Sequence, residues 1–262
     1  MITLSSTLQI TDELRIKGAT QPGTVLNSFD FGAYNGAPCI VLRAGAGVSD
    51  AINFNSSEPT DDLDVLNVGF SGFSSGGVTI RSGFGHRLAG LQFGANIGAL
   101  ALDDVTFPIR VLDQASSVEI GGTDLQSVNF IGSSNIAIQL SGVGSNLVQG
   151  NAIGSRGLDD LGNLLGINVS SPSNVIDNNR IALSTGPNVF LSGSNARLNV
   201  LTNNSIIASD TNGLSIGNGA AQNRVGPDNS FIGNLGNGVM IASGARNQVR
   251  ENRFGSNGEL GI

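Results

Sequence analysis

The chain has 262 residues, with a net charge of −7 from 13 basic and 20 acidic side chains, one cysteine and one histidine. An excess of negative charge repels a phosphate backbone, one cysteine excludes an internal disulfide, and no apolar run approaches the roughly 20 residues of a membrane span. With 38 glycines, 29 asparagines and no tryptophan, but 39% apolar residues, the composition is that of turn-dense β structure and not of disorder.

In chain order, the first alternating apolar segments are Ile2-Thr3-Leu4, Leu8-Gln9-Ile10 and Leu14-Arg15-Ile16. Cys39-Ile40-Val41-Leu42, Ala51-Ile52-Asn53-Phe54 and Val65-Leu66-Asn67-Val68-Gly69-Phe70 follow, broken by a polar insertion from Asn55 to Asp64. Cys39 reads as a small hydrophobe within a strand, because no basic cluster lies near it to lower its pKa. Gly77-Val78-Thr79-Ile80 then leads into His86-Arg87-Leu88-Ala89-Gly90-Leu91, and Ile109 to Leu112 leads into Val118 to Gly122. From residue 146 onward an eight-residue pattern returns five times: Asn, any, aliphatic, any, any, Asn, any, apolar. The copies begin at Asn146, Asn174, Asn199, Asn223 and Asn247, at steps of 28, 25, 24 and 24 residues, the fourth carrying one extra residue.

Each period holds three short strands with in-out alternation, separated by Gly, Asn and Ser turns. A unit of this length cannot bury its apolar face alone, so successive periods stack, like residue on like residue, in parallel. The expected fold is an all-β parallel β-helix: one domain over 1–262, about nine or ten coils of three strands each, roughly 45 Å long at the inter-strand spacing. The paired asparagines of each copy (Asn146 and Asn151, Asn174 and Asn179, Asn199 and Asn204, Asn223 and Asn229, Asn247 and Asn252) flank one strand. They are expected to form side-chain ladders at the corners, taking up the αL bends themselves. His86 and Leu91 stand in the two Asn places of an earlier coil, which gives His86 a corner hydrogen-bonding role ahead of acid-base chemistry. Both ends fall inside a coil pattern with no polar cap. An excerpt from a longer protein, or ends covered by other copies or chain segments, is expected.

The run from Ile2 to Gly23, the Ile120-Gly121-Gly122-Thr123 turn and the Asn-x-Val-x-x-Asn-x-Ile copies resemble the right-handed parallel β-helix repeats of the pectin-lyase-like superfamily, as found in large secreted or surface-attached bacterial proteins. The resemblance implies the right-handed fold and an extracellular or cell-surface location. It leaves activity open, since that superfamily includes lyases, hydrolases, epimerases, adhesins and stalks.

Pectate-lyase-like enzymes hold Ca²⁺ with clustered carboxylates and use an arginine as base. The counterparts here would be Asp61, Asp62 and Asp64, with Glu58 nearby, and Arg81 on the next coil. The same Asp run reads equally as a solvated turn. Polygalacturonase-like fragments (Asp103-Asp104, Gly85-His86, Arg15-Ile16-Lys17) occur in the wrong chain order for that family and read as chance, and an epimerase-like Asp-Pro-His motif is absent. The leading expectation is therefore no catalytic residue, metal or cofactor: a structural rod serving as stalk, adhesin body or stacking filament unit. A carbohydrate-binding module is the alternative, although Tyr34 is the only tyrosine available to stack on a sugar ring. A calcium-assisted lyase or hydrolase using Asp61, Asp62, Asp64 and Arg81 is the other.

Overall fold

The computed structural model describes residues 1–28, 37–38, 40–94, 96–97, 100–101, 103–156 and 159–262, with backbone alone for 96–97, 100–101, 155–156 and 159–160. Cys39 and Tyr34 lie outside the described residues. Three parallel sheets run along the molecule, one of ten strands and two of nine, and each strand bonds to its counterparts one period before and after. The first coil consists of Ile2–Leu4 in the first sheet, Leu8–Ile10 in the second and Leu14–Lys17 in the third. Nine such coils follow one another, and Arg253–Gly255 adds a tenth strand to the first sheet. Two antiparallel excursions, Asn96–Ile97 with Leu100–Ala101 and Ser155–Arg156 with Asp159–Asp160, leave the first sheet in the fourth and sixth coils.

Period-two alternation puts one row of each strand inside. In the third sheet Val65, Leu88, Ile120, Val148, Ile176, Leu201 and Val225 stack in register, all fully buried. In the first sheet the inward row includes Phe70 stacked on Phe93, with centroids 4.7 Å apart, and Phe231 on Phe254 at 5.3 Å. Like residues one rung apart bury each other's flat faces, so the core is a set of side-chain columns. Room for the rings comes from the second sheet. A Cβ at Gly77 would lie 2.4 Å from Phe93 Cε1 and 2.6 Å from the Pro108 carbonyl oxygen.

Part of the first sheet is buried on its outer side as well. Phe130 and Ala152 pack with Val128 under Leu161, and Val41 packs under Ala37, so the long connections roof this sheet in the second to sixth coils.

The bends do not fall on the ladder asparagines. The residue before each takes positive φ: Ser145, Ser173, Leu198, Gln222 and Arg246 at 58–59°, and Asn178, Asn203, Asp228 and Glu251 at 50–61°. This corrects the expectation that the asparagines themselves adopt αL. With the bend on the preceding residue, that side chain points out to solvent and the asparagine points into the corner. The outward position accepts almost any residue, at the αL cost of about 1–2 kcal/mol for a side chain such as Leu198.

Two substitutions of opposite sign follow. Leu198→Gly relieves that strain and is expected to raise stability by up to about 1 kcal/mol in denaturant unfolding. Gly77→Ala, with nowhere for its methyl to go, is expected to lower it by about 1–3 kcal/mol.

Candidate functional site: corner ladders and a polar face

At the corner entering the third sheet, Asn146 Nδ2 donates to Asn174 Oδ1 at 2.8 Å, Asn174 to Asn199 at 2.8 Å, Asn199 to Asn223 at 3.0 Å and Asn223 to Asn247 at 3.0 Å. At the corner leaving it, Asn151 donates to Asn179, Asn179 to Asn204, Asn204 to Asn229 and Asn229 to Asn252, at 2.8–3.0 Å. Each Oδ1 also accepts the backbone N–H of the asparagine one coil earlier, as Asn179 does from Asn151 at 3.0 Å. The Nδ2 reaches back as well, Asn179 to Val148 O and Asn204 to Ile176 O. One amide thus binds three coils and supplies the acceptor for a backbone N–H at the corner.

The structure extends this system beyond the sequence pattern. Asn129, fully buried, donates to Asn151 at 2.9 Å and accepts from the Leu91 N–H at 2.8 Å. A third corner carries a Ser and Asn column: Ser134 bonds Asn163 Oδ1, the Ser209 N–H bonds Asn234 Oδ1, and Asn234 Nδ2 donates to Asn257 at 3.0 Å. Its signal is a further step of five residues, from Asn179 to Ser184, Asn204 to Ser209, Asn229 to Asn234 and Asn252 to Asn257. Serine at half of those positions hides it.

His86 occupies the corner entering the third sheet, in the third coil. Its Nδ1 accepts the Leu63 N–H at 2.9 Å, the place of an asparagine Oδ1, and Nε2 lies 2.9 Å from the Ser82 carbonyl. That partnering assigns the neutral tautomer with hydrogen on Nε2. Burial holds its pKa below the ordinary value of 6.5, against the opposing pull of the Ser82 and Gly83 backbone and of Asp62 and Asp64.

The acidic run is dispersed by the fold. Asp61 accepts from Ser56 Oγ at 2.5 Å, Asp64 faces Arg15 across the third sheet at 3.3 Å, and Asp62 Oδ1 is buried without a partner. Among the described residues no group of three His, Cys, Asp or Glu side chains could hold a metal. Arg81 lies on the second-sheet side, with NH1 donating to Asp113 at 2.7 Å and Nε to Asn53 at 3.2 Å. Beside it Arg110, which sequence reasoning passed over, reaches back two coils to Asp50 at 2.6 Å, donating to Thr79 on the way. Gly76 leaves the gap for this contact, since a Cβ there would sit 2.6 Å from the guanidinium. Burial lowers the Arg110 pKa and Asp50 opposes it. Arg81, Arg110, Gln9 and Asn53 line a polar recess of about 180 Å³. Both guanidiniums are held by carboxylates, Arg81 by Asp113 and Arg110 by Asp50. Among the described residues no helix is long and apolar enough to cross a membrane.

Residues 111–262 match the family model described as a right handed beta helix region. No curated protein and no solved structure matches the chain.

Replacing Asn179 by Leu strands the Asn151 backbone N–H, takes one bond from the Asn151 amide and leaves Val148 O without its side-chain donor, and is expected to cost about 3 kcal/mol or more in unfolding experiments. The same change at Asn218, which makes one exposed bond to Ser192 Oγ, should cost less than half of that. The unfolded chain takes up a proton at His86 near pH 6.5 while the folded chain resists it. Stability is therefore complete above that pH and falls as pH drops toward the lower folded value. His86→Asn, a neutral acceptor in the same place, should flatten this part of the stability profile.

Proposed function

As a member of the right-handed β-helix family, the chain is, we propose, the structural body of a secreted or cell-surface protein: a rigid β-helical rod that spaces and presents what is attached to it. The observation that carries this reading is that its corner amides and polar-face arginines bond to neighbouring coils and to carboxylates of the chain itself. Corner amides are used up from coil to coil, and the two arginines of the polar face are tied to Asp113 and Asp50. A catalyst needs groups that are free to exchange protons or ligands with substrate. A scaffold needs the reverse, and rigidity follows from bonds that open only if neighbouring coils part.

The recess lined by Gln9, Asn53, Arg81 and Arg110 favours one second reading, contact with a polysaccharide along the second sheet. Amides and guanidiniums are suited to sugar hydroxyls and carboxylates.

Incubation with uronate polymers, with and without calcium, should yield no turnover. Turnover that disappears in Asp62→Ala or Arg81→Ala would replace the rod with a lyase or hydrolase. Retention on an immobilised polysaccharide that is lost in Arg81→Ala would favour the second reading.

A further inference from the structure

Charge is divided along the rod in a way that scattered positions in the sequence conceal. Residues 1–177 carry seven basic and sixteen acidic side chains, and residues 178–262 carry six and four, leaving nets of −9 and +2. The ion pairs are divided too. All of them, among the described residues, involve Arg15, Arg43, Arg81, Arg87 or Arg110 in the first four coils. Among the described residues, the six arginines from Arg180 to Arg253 have no carboxylate within ion-pair distance, and all but Arg180 are exposed.

Both charge patches border the third sheet. Its outer row reads, in register, Arg15, Asp64, Arg87, Glu119, Leu147, Val175, Val200, Arg224 and Gln248. The first four alternate in sign, the middle three are aliphatic with Val175 38% exposed, and the row turns basic at Arg224. The corner leading into this sheet repeats the division. In the first two coils it carries Asp12, Glu13 and Glu58, all exposed, with Asp61 and Asp62 beside them. In the seventh and ninth coils it carries exposed Arg197 and Arg246.

We propose that this face is where two copies of the chain pair side by side and antiparallel, about a two-fold axis near the fifth coil. Leu147 of each copy then lies at the centre, with Val175 over the partner's Glu119 and Val200 over the partner's Arg87. The eighth coil opposes the partner's second, placing Arg224 toward Glu58. The ninth opposes the first, placing Arg246 toward Glu13, and the symmetry makes each contact twice. Charge complementarity selects this occupant. A free polyanion attracted to the arginines would meet the −9 of the first six coils, whereas an inverted copy meets opposite charge at both ends.

Sedimentation velocity on the chain at about 20 mM and about 500 mM salt tests the pairing. The dimer is expected at low salt, with its dissociation constant raised at least about tenfold at high salt. Two surface variants locate it: Arg224→Glu with Arg246→Glu sets Glu against Glu at both named contacts, and Glu13→Arg with Glu58→Arg sets Arg against Arg there. Each alone is expected to associate at least about tenfold more weakly than the unaltered chain. An equimolar mixture should recover to within about threefold, because every contact regains opposite charge. Unchanged melting temperatures would show that all are folded. An unaltered chain that stays monomeric at low salt overturns the proposal. So does a mixture that fails to associate while the unaltered chain does.

Discussion

A side-chain amide that bonds to its own copy one rung away is the interaction on which this architecture rests. It works because an amide is donor and acceptor at once, so a column of identical residues can satisfy itself without a second residue type. Asn179 accepts from Asn151, donates to Asn204 and closes back on Val148 O, all within 3.0 Å. The ladders therefore hold the coils at the strand spacing and stitch the corners, where they add to backbone bonds such as Asn178 N–H to Thr202 O. They also fix the register of the core. Once Asn151 and Asn179 are opposed, Ile153 must lie against Ile181, and a slip of one residue would expose that whole inward row.

Backbone economy explains why so varied a sequence can keep this geometry. Each corner uses one αL residue whose side chain faces solvent, and the structure accepts Ser, Leu, Gln, Arg, Asp and Glu there. Strain is spread over many corners at about 1 kcal/mol each, and the asparagine that follows is left free for the ladder. His86 shows how far the corner position can vary, since an imidazole supplies the required acceptor at Nδ1. The substitution brings an ionisable group into the core, a liability that asparagine does not have.

The coil architecture was legible in the residues because it is periodic: five copies of an Asn pattern and in-out alternation leave parallel stacking as the consistent arrangement. The two ladders flanking the third sheet were legible for the same reason. Less visible were the features that break the period or pair across it. Asn129 and the Ser and Asn column ending at Asn257 belong to ladders, but serine at Ser134, Ser184 and Ser209 blurs the repeat. The Arg110 and Asp50 pair spans 60 residues and depends on a glycine gap two coils wide, which no local pattern encodes. Asp61, Asp62 and Asp64 look concentrated in sequence, yet Asp61 turns to Ser56, Asp64 faces Arg15 across the sheet, and Asp62 Oδ1 is buried without a partner. Proximity along a chain is not proximity in a coil.

The central claim is that corner asparagines, and not only the strands, carry the bonds between coils. Backbone amide hydrogen exchange at Asn151, Asn174, Asn179, Asn199 and Asn204 measures it most directly, because each of these N–H groups bonds only to the side-chain oxygen of the next asparagine. The account predicts protection as strong as that of the neighbouring core strands at Val148, Ile176 and Leu201. Exchange at those five positions as fast as at exposed Asn218 would contradict it.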